Sequence, residues 1–224
     1  MFTTQAASGE DLTYEATAPP LEITFAVAGG HYSGVVHPGS LFLQTDIVDA
    51  PVVRWPKAKP GMFYTLMMLD FDGNANGSWP DAVPAGENSP VRHWIVGNIP
   101  GEQLLTTGYV ESLGVKAAAQ PSILQPYRAP HIPIVSDRYG LYVFRQAGRI
   151  PFGPVTGPIT NFDAESFLQT YQLGTPVAAN WFVALFTSES PFSGKPFSGN
   201  DVTATWHKGR GKDPLRPAVT SAKR

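Results

Sequence analysis

One short run constrains this fold more than any other: Y-T-L-M-M-L (64–69), six uncharged residues that lead directly into Asp70 and Asp72. A strand with no charged position offers neither face to solvent, so the run predicts a central strand that is covered on both sides. Ionised carboxylates are costly to bury. The aspartate pair therefore indicates a turn, a metal site, an acid–base pair or one wall of a ligand pocket where the strand ends.

The rest of the chain predicts many short strands and few helices. The 224 residues include 22 Gly and 22 Pro, and only 15% are charged, a composition that favours frequent turns. Period-2 alternation or apolar runs mark further strands at 21–27, 46–55, 93–99, 138–146 and 179–186. Pro51 lies inside the second of these and predicts an edge, a bulge or a break.

One helix is marked by an apolar stripe at the spacing i, i+3, i+4, i+7, formed by Ala164, Phe167, Leu168 and Tyr171. Asn161 is its predicted N-cap, and Gly174 is predicted to end it. We expect this helix to cover one side of the sheet.

Composition excludes several classes of site. Cysteine is absent, which rules out disulfides, thiolate catalysis and cysteine-ligated zinc. The first residues lack the pattern of a secretory signal, and no apolar run approaches the ~20 residues of a membrane span. We therefore expect a cytoplasmic protein without a transmembrane segment.

The chain is predicted to have three parts, and charge marks the last of them. We predict an N-terminal extension (1–19), one domain (20–190) and a basic tail containing Gly, Ser and Pro (191–224). From Lys195 onward seven basic residues stand against two aspartates, although the whole chain has a net charge of −2. Such a tail is expected to be solvated or to dock on an anionic partner.

Four blocks of sequence occur in an order that resembles the phosphatidylethanolamine-binding protein family. They are Y-T-L-M-M-L-D-F-D-G (64–73), R-H-W-I-V-G-N-I-P-G (92–101), Y-R-A-P with D-R-Y-G-L-Y-V-F-R-Q (127–146), and N-F-D-A-E-S-F-L-Q-T-Y-Q-L-G-T-P-V-A-A (161–179). The family includes the Raf kinase inhibitor proteins, carboxypeptidase Y inhibitor and the plant florigens. The resemblance, which runs from about residue 20 to 186, implies a mainly β fold, a β-sandwich with a few peripheral helices.

The resemblance also implies a small pocket for an anion, either the phosphate of a phospholipid headgroup or that of a phosphorylated ligand. The matching ligand-binding residues are Asp70, Asp72, His93, Tyr127, Pro130, Asp137 and Tyr139. Asp137 stands where the family usually has a histidine, and Phe71 stands where proline is usual. A carboxylate in place of a histidine adds like charge against a phosphate.

The function that the resemblance implies is that of a non-enzymatic regulator without catalytic residue, metal or cofactor. It would bind a protein partner such as a kinase, a protease or a signalling complex, with the loop 73–90 as a pocket rim. A structural subunit of a larger ribonucleoprotein assembly is one alternative. Another is a metal-dependent hydrolase using Asp70, Asp72 and His93, although the sequence contains no nucleophile motif, phosphate loop or H-E-x-x-H pattern.

Overall fold

The computed structural model describes residues 21–26, 33–70, 90–111, 120–131 and 136–185, together with two short strands at 204–206 and 217–219. The predicted N-terminal extension and most of the predicted tail lie outside the described residues. So do Phe71, Asp72 and nearly all of the loop predicted at 73–90. The domain limits at 20 and 190 therefore stay predictions.

The larger sheet has six strands in the order β3-β9-β8-β5-β6-β7. Their bounds are Ser40–Leu43 (β3), Phe63–Asp70 (β5), Val91–Pro100 (β6), Ser122–Gln125 (β7), Ser136–Arg145 (β8) and Ala178–Leu185 (β9). Neighbours pair antiparallel except β3 and β9, which are parallel. The strands predicted near 64–69, 93–99, 138–146 and 179–186 are the four inner strands of this sheet.

The smaller sheet has three antiparallel strands in the order β2 (Ser33–Val35), β1 (Glu22–Ala26) and β4 (Val52–Arg54). The run predicted at 46–55 is shorter than expected, because pairing begins only after Pro51, which has no N–H to donate. The buried Asn180 side chain of β9 joins the two sheets by donating to the carbonyls of Leu21 and Val36 at 2.8 and 2.9 Å.

Both faces of β5 are buried, as the apolar run predicted. Tyr64, Leu66 and Met68 lie in the core between the two sheets, which we call the sandwich core. Met67 and Leu69 lie in a second core on the opposite side of the large sheet. The chain is therefore mainly β, a sandwich whose larger sheet has a second covered face.

Two α-helices occur among the described residues. α1 (Gly101–Leu105) follows β6, and α2 (Ala164–Thr170) packs Phe167 into the second core, on the side of the sheet that the apolar stripe predicted. They have five and seven residues. Neither described helix is long enough to cross a membrane.

The N-cap predicted at Asn161 is wrong. Asp163 caps α2, because its carboxylate accepts hydrogen bonds from the Ser166 backbone N–H at 2.9 Å and from the Ser166 hydroxyl at 2.8 Å. Asn161 has a φ of +56°, and a left-handed residue cannot serve as the extended residue that precedes a helix. The helix consequently starts two residues later than the sequence predicted.

Replacing the true cap is expected to destabilise the protein. Asp163→Ala removes the acceptor for the Ser166 N–H and should lower the free energy of unfolding by about 1 kcal/mol. Asn161→Gly should leave the free energy of unfolding unchanged or raise it slightly, because glycine adopts a positive φ without strain. Urea denaturation of both variants checks the assignment, and a larger loss in the Asn161 variant would contradict it.

The segment predicted as a tail contains two strands that the sequence did not suggest. β10 (Ala204–Trp206) and β11 (Pro217–Val219) pair antiparallel, with Trp206 opposite Pro217. They form a separate two-stranded sheet.

Candidate functional site

Three adjacent strands bring four of the predicted site residues to one face of the large sheet. Asp70, the last residue of β5, stands directly opposite Tyr139 of β8, and directly opposite residues share a face in an antiparallel pair. Asp137 lies two residues before Tyr139 on β8, so it shares that face as well. This is the face of the sandwich core, to which Tyr139 belongs.

His93 joins these residues because β6 contains a bulge. Trp94 pairs with Met68 and Arg92 pairs with Leu69, which leaves His93 as an extra residue without a partner on β5. A bulge redirects the side chains around it. His93 therefore lies on the same face as Trp94, with Nε2 3.7 Å from Asp70 Oδ2 and its ring edge-on to Tyr139 at 5.1 Å between centroids.

The backbone of Arg128 holds His93 at two points. The Arg128 N–H donates to the His93 carbonyl at 2.9 Å, and His93 Nδ1 lies 2.9 Å from the Arg128 carbonyl. A carbonyl only accepts, so Nδ1 carries the proton. In the neutral ring Nε2 is then an acceptor, and it faces the Asp70 carboxylate.

His93 is neutral at pH 7. Burial lowers its pKa from 6.5 to about 4; the hydrogen bond to the Arg128 carbonyl opposes this shift, and the Arg128 charge adds to it. The 3.7 Å approach to Asp70 would be an ion pair only with a protonated ring. At neutral pH the His93 Nε2 lone pair therefore faces the Asp70 carboxyl group.

The Tyr139 hydroxyl is the donor beside these acceptors. Burial, followed by the charges of Asp70 and Asp137, raises the pKa of Tyr139 well above 10, so the hydroxyl keeps its proton. The approach of the Asp70 side chain to this hydroxyl adds to the rise in the pKa. Within the described part of the chain, however, the hydroxyl makes no hydrogen bond of regular geometry.

The loop that carries Tyr127 and Pro130 lies beside this cluster. Pro130 is buried. The Tyr127 hydroxyl donates to the Ile47 carbonyl at 2.7 Å, and the ring packs edge-on against Trp94 with 5.5 Å between centroids. Tyr127 is thus near the cluster, but its hydroxyl is already engaged.

Glu111 is a positioning residue that no sequence motif marks. Its Oε2 accepts hydrogen bonds from Trp94 Nε1 at 2.6 Å and from the Tyr127 backbone N–H at 3.0 Å. The carboxylate therefore ties the loop to the strand that carries His93. A single glutamate with partners 16 and 17 residues away leaves no local pattern in the sequence.

Replacing Glu111 is expected to loosen this connection. Glu111→Gln removes the charge from both hydrogen bonds and should lower the free energy of unfolding by about 1–2 kcal/mol. The proton shift of the Trp94 indole N–H should move upfield, since the bond to a carboxylate is replaced by a weaker one. An unchanged indole shift would contradict this role, and Glu165→Gln on the exposed side of α2 is the matched control.

The predicted metal trio of Asp70, Asp72 and His93 is described only in part, because Asp72 lies outside the described residues. Among the residues that the structure does describe, no three His, Asp or Glu side chains are grouped so as to hold a metal ion. Asp70 and His93, the two members of the trio that the structure describes, are adjacent.

The chain is similar in sequence to known proteins, although no family model matches it. It is 29% identical over 158 residues to odorant-binding protein A5 of Drosophila melanogaster, covering 66% of this chain and 63% of that protein. The chain thus spans under two thirds of that relative's length. It is 32% identical over 142 residues to TWIN SISTER of FT of Arabidopsis thaliana, covering 62% of this chain and 67% of the relative. The chain belongs to the phosphatidylethanolamine-binding protein family.

A solved structure shares this family fold. The carboxypeptidase Y inhibitor, crystallised in complex with its cognate proteinase, matches 79% of this chain and 89% of the inhibitor with a TM-score of 0.53 at 15% identity. This agreement confirms the fold expected from the resemblance, a phosphatidylethanolamine-binding-protein-like sandwich with few helices.

Proposed function

We propose that this chain is a non-enzymatic, cytoplasmic regulator that binds a protein partner and carries a pocket for a small phosphate-type anion. The pocket would be formed by the predicted residues Asp70, Asp72, His93, Tyr127, Pro130, Asp137 and Tyr139. The observation that carries this proposal is the convergence of Asp70, His93 and Tyr139 from three neighbouring strands onto one face.

The buried Tyr139 hydroxyl supports a polar ligand at this point. It is 0% exposed and has no regular hydrogen bond within the described residues, and such a group is costly unless a partner is supplied. An anion would accept its proton. The same anion would meet the carboxylates of Asp70 and Asp137, so binding is expected to be weaker than in a pocket with a second imidazole.

A direct test exchanges Asp137 for the imidazole that the resemblance implies. In Asp137→His a negative charge is replaced by a titratable donor, so the affinity for inorganic phosphate near pH 6 should rise at least about tenfold. The ring signals of His93 in an NMR titration report the binding. Glu165→His, which makes the same exchange on α2, is the control and should leave the affinity unchanged.

Absence of any His93 response, in both the natural chain and Asp137→His, would overturn the phosphate pocket. It would not overturn the fold or the family membership, which rest on other observations.

We propose steric action on a protein partner, either a protease or a signalling protein. Support comes from a structural relative that was crystallised with its cognate proteinase. In this mechanism the domain covers the partner's surface and catalyses nothing. Partner choice would lie in loops and surface residues.

The partner can be sought by affinity purification of the full chain and of a variant with Lys208, Arg210 and Lys212 replaced by glutamine. If the partner binds the domain, both proteins should retain the same partner. Loss of that partner from the variant would instead assign binding to the basic tail, as expected for a subunit of a nucleic-acid-containing assembly.

A further inference from the structure

We propose that an acidic segment of this chain, residues 10–15, docks on a basic patch at the opposite end of the sandwich from Asp70 and covers that patch within the same molecule. The basic patch is formed by four exposed residues, Lys57, Lys59, Met62 and Arg145. Strand β5 runs from Phe63 at this end to Asp70 at the other. The patch is therefore separate from the proposed anion pocket, and the inference does not depend on that pocket.

Tyr64 brings the three cations of the patch together. Arg145 of β8 stands directly opposite Tyr64 of β5 and so shares its face of the sheet. The Lys59 backbone N–H donates to the Tyr64 hydroxyl at 3.0 Å. The Trp55 ring packs edge-on against the Tyr64 ring with 5.5 Å between centroids, and Lys57 follows Trp55 by two residues. Cations from β8 and from the turn after β4 thus lie around one buried tyrosine.

The patch combines positive charge with an exposed apolar side chain. Met62, whose N–H donates to the Lys59 carbonyl at 3.2 Å, is 38% exposed. Within the described part of the chain, none of the three cationic side chains forms an ion pair. The Glu102 carboxylate on α1 accepts a hydrogen bond from the Gly61 N–H at 2.8 Å instead. Such a surface fits an acidic segment that also carries apolar side chains.

The residues before β1 have this chemistry. Residues 1–20 contain Glu10, Asp11 and Glu15 but no Lys, Arg or His, and Leu12 and Tyr14 lie among the three carboxylates. The part of the chain after β9 has the opposite character, because it is basic from Lys195 onward, and like charges repel. Charge complementarity therefore selects the segment before β1 as the occupant.

The direction of β1 brings this segment to the correct end of the molecule. Asn180 of β9 donates to the Leu21 carbonyl at 2.8 Å, and further along both strands the Phe25 ring packs edge-on against Phe182 at 5.3 Å between centroids. Strand β1 therefore runs in the direction of β9. Since β9 and β5 are both antiparallel to β8, β9 in turn runs in the direction of β5. The chain before Leu21 consequently enters the sandwich at the end where β5 begins, which is the end that carries the basic patch.

The segment is also long enough to reach the patch. Glu22 of β1 stands opposite Arg54 of β4, and Lys57 follows Arg54 by three residues. Six residues of extended chain between Leu21 and Glu15 span up to ~20 Å. Exposed ion pairs are individually weak, but a short tether supplies the segment at an effective concentration in the millimolar range. Docking within one chain is therefore favoured over docking between chains.

Carbodiimide cross-linking of the full chain tests the contact, because this reagent joins a lysine amine to a carboxylate that lies against it. Mass spectrometry should find Lys57 and Lys59 joined to Glu10, Asp11 or Glu15. In an equal mixture of unlabelled and nitrogen-15-labelled chains, these cross-links should join residues of the same chain. Sodium chloride at about 1 M, which shortens the Debye length to about 3 Å, should lower their yield at least about threefold.

Two single substitutions test the patch itself. Arg145→Gln removes one of its charges and should also lower the yield of these cross-links at least about threefold. Arg149→Gln is the matched control and should leave the yield unchanged. Arg149 is exposed at the same end of the sheet, but it lies over the Phe63 ring at 5.7 Å, and Phe63 precedes Tyr64 on β5 and so points to the other face.

A variant that combines Glu10→Gln, Asp11→Asn and Glu15→Gln gives a readout without cross-linker. The backbone amide signals of Lys59 and Met62 should differ between this variant and the natural chain at low salt. They should coincide at about 1 M NaCl, where the charges are screened. Circular dichroism confirms that each variant is folded.

Several outcomes would overturn the inference. Cross-links between different copies would assign the patch to an intermolecular contact, and cross-links from residues 10–15 to Lys208 or Lys212 would assign the segment to the basic tail. Equal effects of Arg145→Gln and Arg149→Gln, or identical amide signals at low salt, would show that the segment does not dock on the patch. None of these results would affect the proposed pocket, which is tested by phosphate and the signals of His93.

Discussion

Acidification from about pH 6.5 to pH 4 is expected to lower the free energy of unfolding by about 3 kcal/mol through His93 alone. The folded-state pKa of His93 is about 4, against 6.5 for an unburied histidine. Between these values the unfolded chain binds a proton that the folded protein does not. The stabilisation is therefore complete above pH 6.5, decreases as pH falls, and is lost below about pH 4.

Urea denaturation of the natural chain and of His93→Asn over this pH range measures the effect. The asparagine side chain can still donate to the Arg128 carbonyl but does not titrate, so the difference between the two proteins isolates the imidazole. His37→Asn, at an exposed position, is the matched control and should follow the natural chain. Parallel pH profiles for the natural chain and His93→Asn would show that His93 does not contribute.

Gln146→Leu is expected to lower the free energy of unfolding by about 4 kcal/mol. The buried Gln146 Oε1 accepts from the Asn98 N–H at 2.9 Å and from the Thr65 hydroxyl at 3.1 Å. Its Nε2 donates to Asn98 Oδ1 at 2.8 Å and to the Gly148 carbonyl at 3.0 Å. Leucine removes all four bonds and leaves buried polar groups without them.

Chemical denaturation provides the measurement, and Arg145→Leu on the exposed neighbouring residue is the control. Thr65→Val should lower the free energy of unfolding by less in the Gln146→Leu background than in the natural chain, because the threonine hydroxyl has already lost its acceptor there. Full additivity of the two substitutions would contradict a shared network. A loss below about 1 kcal/mol for Gln146→Leu would show that water replaces the amide.

The central sheet was predictable because its signal is local. Uninterrupted apolar residues at 64–69 require burial on both faces, and the two cores on either side of β5 confirm this. The residues around Asp70 and Tyr139 followed from the family resemblance rather than from periodicity. That Asp70 and Tyr139 lie on the same face follows from the register of β5 against β8. This register cannot be read from either segment of sequence alone.

Other features were missed because their causes lie far apart in the chain. The bulge at His93 is one unpaired residue in an otherwise regular strand, and the period-2 pattern places that side chain on the wrong face. The Arg128 carbonyl that fixes the His93 tautomer is backbone, so residue type gives no indication of it. At α2 the misleading signal was Asn161, a good capping residue held in a left-handed conformation.

The position of β9 has a consequence for the order of folding. This strand pairs with β3 and β8 and, through Asn180, holds carbonyls of the smaller sheet. The larger sheet cannot be completed, and Asn180 cannot join it to the smaller sheet, until residues 178–185 have left the ribosome. Parallel pairing of β3 with a partner about 140 residues later is a highly non-local contact, and such contacts slow folding. The nascent chain would therefore expose the apolar β5 for most of its synthesis, when aggregation competes with folding.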